Sequence, residues 1–356
     1  MIEQRERTEA ANGASALLTA PPPDRLSAST TKTLLEAINE TLAEEMRADE
    51  RIVVLGEDIG RRGGVFRVTV GLLEEFGEER VMDAPLAESV IVGSAIGMAM
   101  NGLIPIAEIQ FLDFIHPAMD QIMNEAGRIR YRSNNDFSCP IVIRAPFGGG
   151  VHGGLYHSQS IEALFVHTPG IKVVVPSTPA DAKGLLRSAI HDPDPVLYLE
   201  HKKMYRSVKG EVPAGPYEVP LGQARIVQEG ADATIVTYGL MVHESVKAAE
   251  AVTHETGASI EIVDLRSLKP LDEETVLASV RKTGKALVVN EANRLCSVAS
   301  EVAATIGEQV FAYLDAPVMR VAAPDVPAAP FSAPLEHAFM VDAEKIGAAL
   351  RKLVAF

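Results

Sequence analysis

Hydrophobic residues follow helical spacing immediately after residue 33. Thr33 and Glu36 stand at capping-box spacing, which marks the start of a helix. Apolar residues then recur every three or four positions, at Leu34, Leu35, Ile38, Leu42 and Met46. The apolar run 52–55, which Gly56 follows, is typical of a buried strand. The pattern therefore predicts a helix and then a buried strand at the start of the fold.

The same alternation continues to the C-terminus. Up to residue 208 it predicts helices over 89–100, 116–131 and 180–190, and strands over 104–110, 141–144, 171–175 and 196–199. Beyond residue 220 it predicts strands over 233–238, 260–265, 286–289 and 318–321, and helices over 242–256, 272–281, 297–310 and 343–353. This alternation indicates an α/β fold of two doubly wound domains, each with a mainly parallel sheet.

Breaks in the pattern divide the chain. Residues 1–29 show no sustained period, which predicts a flexible N-terminal tail. Glycine and proline cluster at 209–220, which predicts a linker. The 356 residues are too many for one typical domain of ~150 residues. We therefore expect one domain at 30–208 and a second at 221–356.

Composition narrows the class of protein. With 47% hydrophobic and 23% charged residues, the chain can bury a sizeable core. No apolar run reaches the ~18 residues of a membrane span, and no secretory signal is visible, so a cytoplasmic protein is expected. The net charge of −15 argues against nucleic acid and fits a basic protein partner. Cys139 and Cys296 stand outside any metal-ligand spacing and are expected to be reduced thiols.

A glycine-rich motif follows the predicted strand at 141–144. Gly148, Gly150 and Gly153 reproduce the spacing G-x-G-x-x-G of dinucleotide-binding proteins. A true fingerprint opens directly into a helix and has a carboxylate ~20 residues further on. Here residues 154–157 continue as a loop, and the next predicted strand ends without an acid. We interpret the segment as a loop whose glycines bring the backbone close to a ligand.

A second motif lies at the start of the predicted helix 89–100. Glu88 stands where a loop enters the helix, and Gly93 and Gly97 lie one helical turn apart. Two small residues at this spacing let another backbone approach the helix closely. On this pattern alone, Glu88 fits an acid favoured by the helix dipole as well as it fits a functional carboxylate.

The spacing of Glu88, Gly93 and Gly97 is similar to the pyrimidine-side signature of thiamin-diphosphate enzymes. From about residue 31 onward, the chain resembles beta subunits of the thiamin-diphosphate-dependent 2-oxo acid dehydrogenases nearly throughout. The matching segments are Leu-Gly-Glu-Asp at 55–58, Gln-Phe-Leu-Asp-Phe at 110–114, Asp-Gln-Ile at 120–122, Tyr-His-Ser-Gln-Ser at 156–160, 167–174, 264–272 and the stretch up to Glu-Ala at 291–292.

The resemblance implies a pyrimidine-side thiamin domain followed by a transketolase C-terminal-like domain. The family's diphosphate-side signature begins Gly-Asp-Gly, which does not occur in this sequence. An alpha subunit would therefore complete the thiamin diphosphate site and supply most of its Mg²⁺ and diphosphate contacts, in an α2β2 heterotetramer. The resemblance implies a second partner, the lipoyl-bearing core of a dihydrolipoyl acyltransferase.

The resemblance also assigns roles to individual residues. Glu88 would hydrogen-bond the aminopyrimidine ring of the cofactor, and Phe114 would stack on it. Glu57 matches an acid that some relatives place beside the cofactor, with a helix-start role as the alternative. His157 matches a catalytic histidine, a residue type that titrates near pH ~6.5 and can pass a proton during reductive acylation of a lipoyl group. The residues that align with a structural potassium site of some relatives are Ala189, Asp192 and Asp194.

The expected substrate rests on two segments. The loop 153–160 and the segment 200–206 look closer to branched-chain subunits than to pyruvate subunits. Oxidative decarboxylation of 3-methyl-2-oxobutanoate and related acids is therefore expected, with pyruvate or acetoin as the alternative. A non-catalytic scaffold would not need Glu88 and His157, and a homodimeric synthase would need a diphosphate site on this chain.

Overall fold

The computed structural model describes residues 29–356. The predicted tail, 1–29, lies outside the described residues except for Ser29, which begins the first strand. Among residues 29–356 there is no helix whose length and hydrophobicity would let it span a bilayer.

Strands and helices alternate along the chain, as the hydrophobic pattern predicts. The strands are β1 (Ser29–Thr33), β2 (Ile52–Gly56), β3 (Val81–Asp83), β4 (Ile104–Glu108), β5 (Val142–Phe147), β6 (Lys172–Val174), β7 (Val196–His201), β8 (Lys209–Pro213), β9 (Arg225–Gln228), β10 (Ala233–Thr237), β11 (Ile260–Asp264), β12 (Ser267–Lys269), β13 (Ala286–Asn293) and β14 (Met319–Ala323). The helices are α1 (Leu34–Ala48), α2 (Leu72–Phe76), α3 (Glu88–Met100), α4 (Ile129–Arg132), α5 (Glu162–Val166), α6 (Pro179–Ile190), α7 (Met204–Ser207), α8 (Leu240–Thr256), α9 (Glu273–Thr283), α10 (Val298–Gln309), α11 (Ala333–Phe339) and α12 (Ala343–Val354).

The larger sheet has the strand order β12-β6-β7-β5-β4-β2-β3, and its neighbours are parallel except for β12 and β6. Successive residues of a strand enter different cores. Val54 packs in the core that contains α1 and α6, whereas Leu55 packs in the core that contains α3. Both faces are covered by helices, so the sheet is doubly wound, as expected.

The smaller sheet has the order β14-β13-β10-β11-β9, in which β9 is antiparallel to its neighbour. Residues of α8 and α12 cover one face, and residues of α9 and α10 cover the other. Each of the two cores contains residues from both sheets. The two α/β units therefore bury apolar surface against each other.

A short strand of the second unit completes the edge of the first. β12 pairs antiparallel with β6, with Ser267 opposite Val174. Lys269 Nζ donates hydrogen bonds to the carbonyl oxygens of Val166 at 2.8 Å and Thr168 at 2.7 Å. The matching segment 264–272 thus holds the two units together. The sequence pattern did not predict this contact, because β12 is too short to show an alternation of apolar and polar residues.

Two sequence-based expectations need refinement. The predicted helix 116–131 forms without a gap but is irregular, with 3-10 geometry at His116–Ala118 and Ala126–Arg128, π geometry at Gln121–Glu125, and α geometry in α4. At Gly127 the backbone lies close to Gly170, since a Cβ on Gly170 would lie 1.7 Å from Gly127 O. The predicted linker 209–220 begins with β8, which pairs antiparallel with β1.

Candidate functional site

The carboxyl ends of the parallel strands bring the predicted site residues to one edge of the larger sheet. Glu57 follows β2, Phe114 lies in the loop after β4, and His157 lies in the loop after β5. Glu88 begins α3, which follows β3. In open α/β sheets, ligands bind in the crevice outside the carboxyl ends of the strands. Residues separated by up to a hundred positions are therefore collected at the expected edge.

Glu57 and Glu88 lie within electrostatic range of each other. Burial raises the pKa of Glu57, and the charges of Asp58 and Glu88 raise it further. Glu88 is partly buried, and Ala87 before it provides no side-chain cap for the helix. Burial and a neighbouring negative charge both disfavour the charged form of a carboxyl group. The structure therefore places two carboxyl groups near each other at the carboxyl edge of the sheet.

Aromatic rings adjoin the carboxylates. Gln110 Nε2 donates a hydrogen bond to Glu57 O at 3.3 Å, which places the segment 110–114 beside Glu57. The ring centroid of His157 lies 4.5 Å from that of Phe111 and 5.3 Å from that of Phe114, both in edge-on geometry. The structure therefore brings Phe114 and His157 together, and adds Phe111, which contacts both rings.

Carboxylates from distant parts of the chain hold the His157 loop. Asp113 Oδ1 accepts hydrogen bonds from the backbone N–H groups of Ser158 at 3.0 Å and Gln159 at 3.1 Å. At the start of the loop, Glu291 Oε1 on β13 accepts one from Gly149 N at 2.7 Å. Burial alone would raise the pKa of Glu291, but His201 and the Gly149 N–H group lower it to about 2. Glu291 is therefore a charged anchor for the loop.

The second unit also holds the tip of this loop. The buried Glu336 of α11 accepts a hydrogen bond from His152 N at 3.1 Å, and its other oxygen lies 2.5 Å from His152 Nδ1. Phe331 packs against Gly154 so closely that a Cβ there would lie 2.3 Å from the ring. A short helix that the sequence pattern did not predict thus shapes the loop that carries His157.

The glycine-rich motif is explained by packing. Gly148 has φ 85°, and a Cβ there would lie 2.2 Å from His201 Nε2. The loop then forms a 3-10 turn at Gly154–Tyr156. A dinucleotide fingerprint would open a long helix at this point. The glycines admit neighbouring side chains to the loop backbone, and the expected close approach to a ligand stays a prediction.

A buried ion cluster joins three neighbouring strands, β4, β5 and β7, near the same edge. The fully buried Arg144 donates to Glu200 Oε1 at 2.7 Å, to Glu200 Oε2 at 2.8 Å and to Glu108 Oε2 at 2.6 Å. Tyr205 donates to Glu200 Oε2 at 2.5 Å. Burial raises the pKa of Glu108. Arginine can satisfy two carboxylates at once because its donors form a planar fork.

We expect Arg144→Met to lower the free energy of unfolding by ~3 kcal/mol or more, because it leaves the Glu108 and Glu200 carboxylates buried without a cation. Urea denaturation of the purified chain, followed by circular dichroism, measures the change. Arg351→Met is the control, since it removes an exposed pair with Glu255 and should cost much less. A loss no larger than that of the control would contradict a structural role for the cluster.

The residues of the expected potassium site lie at the opposite, amino-terminal edge of the sheet, before β7. Both Asp192 oxygens accept hydrogen bonds from Lys172 Nζ at 2.6 Å, and Asp194 Oδ1 accepts one from Arg130 Nε at 2.5 Å. Ala189 is buried near the end of α6, and its carbonyl oxygen, a ligand type that suits potassium, accepts from Asp192 N at 3.4 Å. Both carboxylates contact a cationic side chain, and the potassium site stays a prediction.

Several residues of this edge were not singled out in the sequence. Asp113, Lys202, Glu291 and Glu336 are charged and nearly buried, each at 7% exposure or less. Asp113 and Glu291 do occur in segments that resemble the family, and Lys202 lies in the segment 200–206. Buried charged residues at strand ends are the signal that would have marked them, because such groups are almost always paired or functional. Whether a charged residue is buried cannot be determined from the sequence alone.

Two family models match the chain. Residues 30–208 match the model described as "Transketolase, pyrimidine binding domain", and residues 222–346 match "Transketolase, C-terminal domain". Among solved structures, the chain is similar to one titled "Split gene transketolase, inactive beta4 tetramer". The TM-score is 0.74 at 27% sequence identity, with 91% of this chain and 98% of the other covered.

Relatives of known function match over most of the sequence. A 2-oxoisovalerate dehydrogenase subunit beta of Bacillus subtilis (strain 168) is 57% identical over 322 residues, which is 90% of this chain and 98% of that protein. A pyruvate dehydrogenase E1 component subunit beta of the same organism is 52% identical over 82% of this chain and 90% of its own. The corresponding subunit of Acholeplasma laidlawii is 51% identical over 90% of this chain and 97% of its own.

Proposed function

Since the chain belongs to the family of 2-oxo acid dehydrogenase beta subunits, we propose that it acts, together with an alpha subunit, on branched-chain 2-oxo acids. The reaction is thiamin-dependent oxidative decarboxylation followed by transfer of the acyl group to a lipoyl group. The observation that supports an active subunit most strongly is the meeting of Glu57, Glu88, Phe114 and His157 at one sheet edge.

The described residues fit the pyrimidine half of thiamin diphosphate. The site offers carboxylates with electrostatic contact between them, a half-buried aromatic ring at Phe114, and a helix start with small residues. The Gly-Asp-Gly start of the family's diphosphate-side signature does not occur in this sequence. In our proposal the alpha subunit therefore supplies the Mg²⁺ and diphosphate contacts, and we derive no step through them.

When bound, thiamin diphosphate supplies the electron sink for loss of CO₂. In our proposal, the Glu88 carboxyl group holds the proton that is shared with the pyrimidine ring. The neighbouring Glu57, whose pKa is raised by burial and by the charges of Asp58 and Glu88, lies within electrostatic range of this carboxyl group. Phe114 covers the ring and excludes water. His157 delivers a proton to the lipoyl sulfur that leaves when the acyl group is transferred.

The exposed side of α3 supports the proposal of a partner chain. Val90 and Met100 on this helix are 51% and 44% exposed, and a Cβ on Gly97 would meet nothing within 4 Å among the described residues. An apolar face with glycine at its centre suits close packing against another subunit. The related split-gene transketolase beta chains, as a tetramer by themselves, are described as inactive. Both observations support an α2β2 assembly, and the net charge of −15 suits a basic surface on the acyltransferase core.

The preference for branched substrates rests on similarity. The branched-chain relative is 57% identical and the pyruvate relatives are 52% and 51% identical. Within the segment 200–206, Glu200 accepts hydrogen bonds from Arg144 and from the hydroxyl of Tyr205. These two residues therefore belong to the buried ion cluster around Arg144 and do not by themselves select a substrate. Pyruvate remains the alternative substrate.

The test is reconstitution with the alpha subunit that co-purifies with this chain. We expect the assembly to decarboxylate 3-methyl-2-oxobutanoate with a kcat/KM at least ~10-fold above that for pyruvate, since a pocket gains ~1–3 kcal/mol per methylene. The chain alone, examined by calorimetry and by CO₂ release, should neither bind thiamin diphosphate tightly nor turn over either acid.

The outcomes separate the alternatives. A clearly higher kcat/KM for pyruvate would move the assignment to pyruvate dehydrogenase. Micromolar binding of thiamin diphosphate by the chain alone would show that the diphosphate site is not supplied by a partner. An assembly that forms but releases no CO₂ from any 2-oxo acid would make the chain a scaffold.

A further inference from the structure

Lys202 is a buried cation next to the proposed site that none of the assigned roles uses. It follows β7 at the same sheet edge and is 4% exposed. Its Nζ has no hydrogen-bond partner among residues 29–356. It lies 5.7 Å from the ring centroid of Phe111, the ring that contacts His157 at 4.5 Å. A buried ammonium without a partner is costly, so its position needs an explanation.

Asp113 supplies the opposite charge. Its Oδ1 accepts the N–H groups of Ser158 and Gln159, which directly follow His157. Its Oδ2 has no partner among the described residues, and neither does the hydroxyl of Ser158. Asp113 and Lys202 interact electrostatically without a direct hydrogen bond. Unpartnered polar atoms that are buried near each other are usually joined by an ordered water, because each would otherwise cost ~1–3 kcal/mol.

We propose that Lys202 and Asp113 are a positioning pair for His157, joined through ordered water between Nζ and Oδ2. The ammonium neutralises the Asp113 carboxylate, and the carboxylate holds the backbone immediately after His157. Loss of the ammonium leaves Asp113 with a buried charge that is not compensated. The two amides are then held less firmly, and the His157 ring loses its orientation. The inference rests on the proposed function, since it concerns the acyl-transfer step assigned to His157.

The pair should respond to pH. Burial lowers the pKa of Lys202 to about 8, against the opposing effects of Asp113 and Glu291. The charged and titratable groups around it are Asp113 from the turn after β4, Glu291 from β13, His201 from β7 and His157 from the loop. As the pH rises through about 8, the ammonium loses its proton, and Asp113 loses its counter-charge. Acyl transfer should therefore decline above this pH.

The experiment uses the assembled enzyme with Lys202→Met, Lys202→Arg and Asp113→Asn, and with Lys352→Met as a control for loss of an exposed lysine on α12. Lipoyl-dependent acyl transfer and dye-linked decarboxylation are measured from pH 6.5 to 9.5. Amide hydrogen exchange of the peptide that contains Ser158 and Gln159 is followed by mass spectrometry.

We expect Lys202→Met to lower acyl transfer ~10-fold at neutral pH, to lose the alkaline decline and to speed exchange of the two amides, with a smaller effect on decarboxylation. Lys202→Arg should restore neutral-pH activity and move the decline to higher pH, because arginine stays charged. Asp113→Asn should speed the same exchange. The control should match the parent.

Other outcomes overturn the inference. If the parent assembly is active and Lys202→Met keeps its pH profile and its amide exchange, Lys202 does not position the loop. Equal losses of both activities with unchanged exchange would give Lys202 a different role. If the parent assembly shows neither activity, the proposed function fails. The exchange data still decide whether Lys202 and Asp113 hold the loop.

Discussion

Glu88→Gln in the assembled enzyme is expected to lower turnover of 2-oxo acids by ~10²–10⁴-fold, the range seen when a general acid–base group is removed. Glu88 is the first residue of α3, partly buried and in electrostatic contact with Glu57. Glutamine has nearly the same shape but carries no carboxyl proton. Assembly and stability should therefore be retained while the proton shared with the pyrimidine ring is lost.

The comparison variant is Glu274→Gln, because Glu274 is an exposed acid in the first turn of α9 and shares only the helix-start position. Turnover is measured as CO₂ release, and assembly by size-exclusion chromatography. If both variants keep nearly the parent turnover, Glu88 is a helix-start residue favoured by the helix dipole. If Glu88→Gln fails to assemble with the alpha subunit, its main role is at the subunit interface.

His157→Ala should separate the two half-reactions. When one sulfur of the lipoyl disulfide takes the acyl group, the S–S bond breaks and the other sulfur needs a proton. His157 lies on a loop whose neighbour Tyr156 is 62% exposed, which suits the mouth of a channel through which a lipoyl arm enters. We expect acyl transfer to fall by ~10²-fold or more and dye-linked decarboxylation to change far less, since the dye needs no proton at sulfur.

Both assays are run on one preparation, with His254→Ala, an exposed histidine of α8, as the control. Equal losses in the two assays would place His157 in substrate binding or in the decarboxylation step. An unchanged enzyme in both assays would make it an ordinary loop histidine. His157→Ala also removes the packing of the ring against Phe111, and disorder of the loop could by itself lower activity. Hydrogen exchange of the loop is therefore compared between His157→Ala and the parent.

Local patterns predicted the elements well, because they depend on neighbours a few residues apart. The Thr33–Glu36 capping box forms, with Thr33 Oγ1 accepting from Glu36 N at 3.2 Å. The apolar run 52–55 becomes the fully buried β2. The predicted helix 116–131 forms, but its apolar spacing does not reveal the 3-10 and π geometry within it.

The candidate site was predicted by resemblance and completed by the fold. Glu57, Glu88, Phe114 and His157 were named from the sequence, but only the order of β3, β2, β4 and β5 makes them neighbours. In the sequence, Arg144 is a charged residue within a predicted strand, which is typical of an exposed position. Its partners Glu108 and Glu200 stand on adjacent strands, and pairing in the interior makes the charge tolerable.

By itself, the sequence determined the α/β class, most of the helices and strands, the family and the chemical type of the site residues. Periodicity, capping and motif order lie within short stretches of chain, where the sequence can be read directly. Only the tertiary structure decided which charges are buried together. The clearest case is Glu291, which holds Gly149 from 142 positions away. It also decided that β12 and α11 of the second unit shape the first. Such contacts depend on strand order and burial, which form only when distant segments pack against each other.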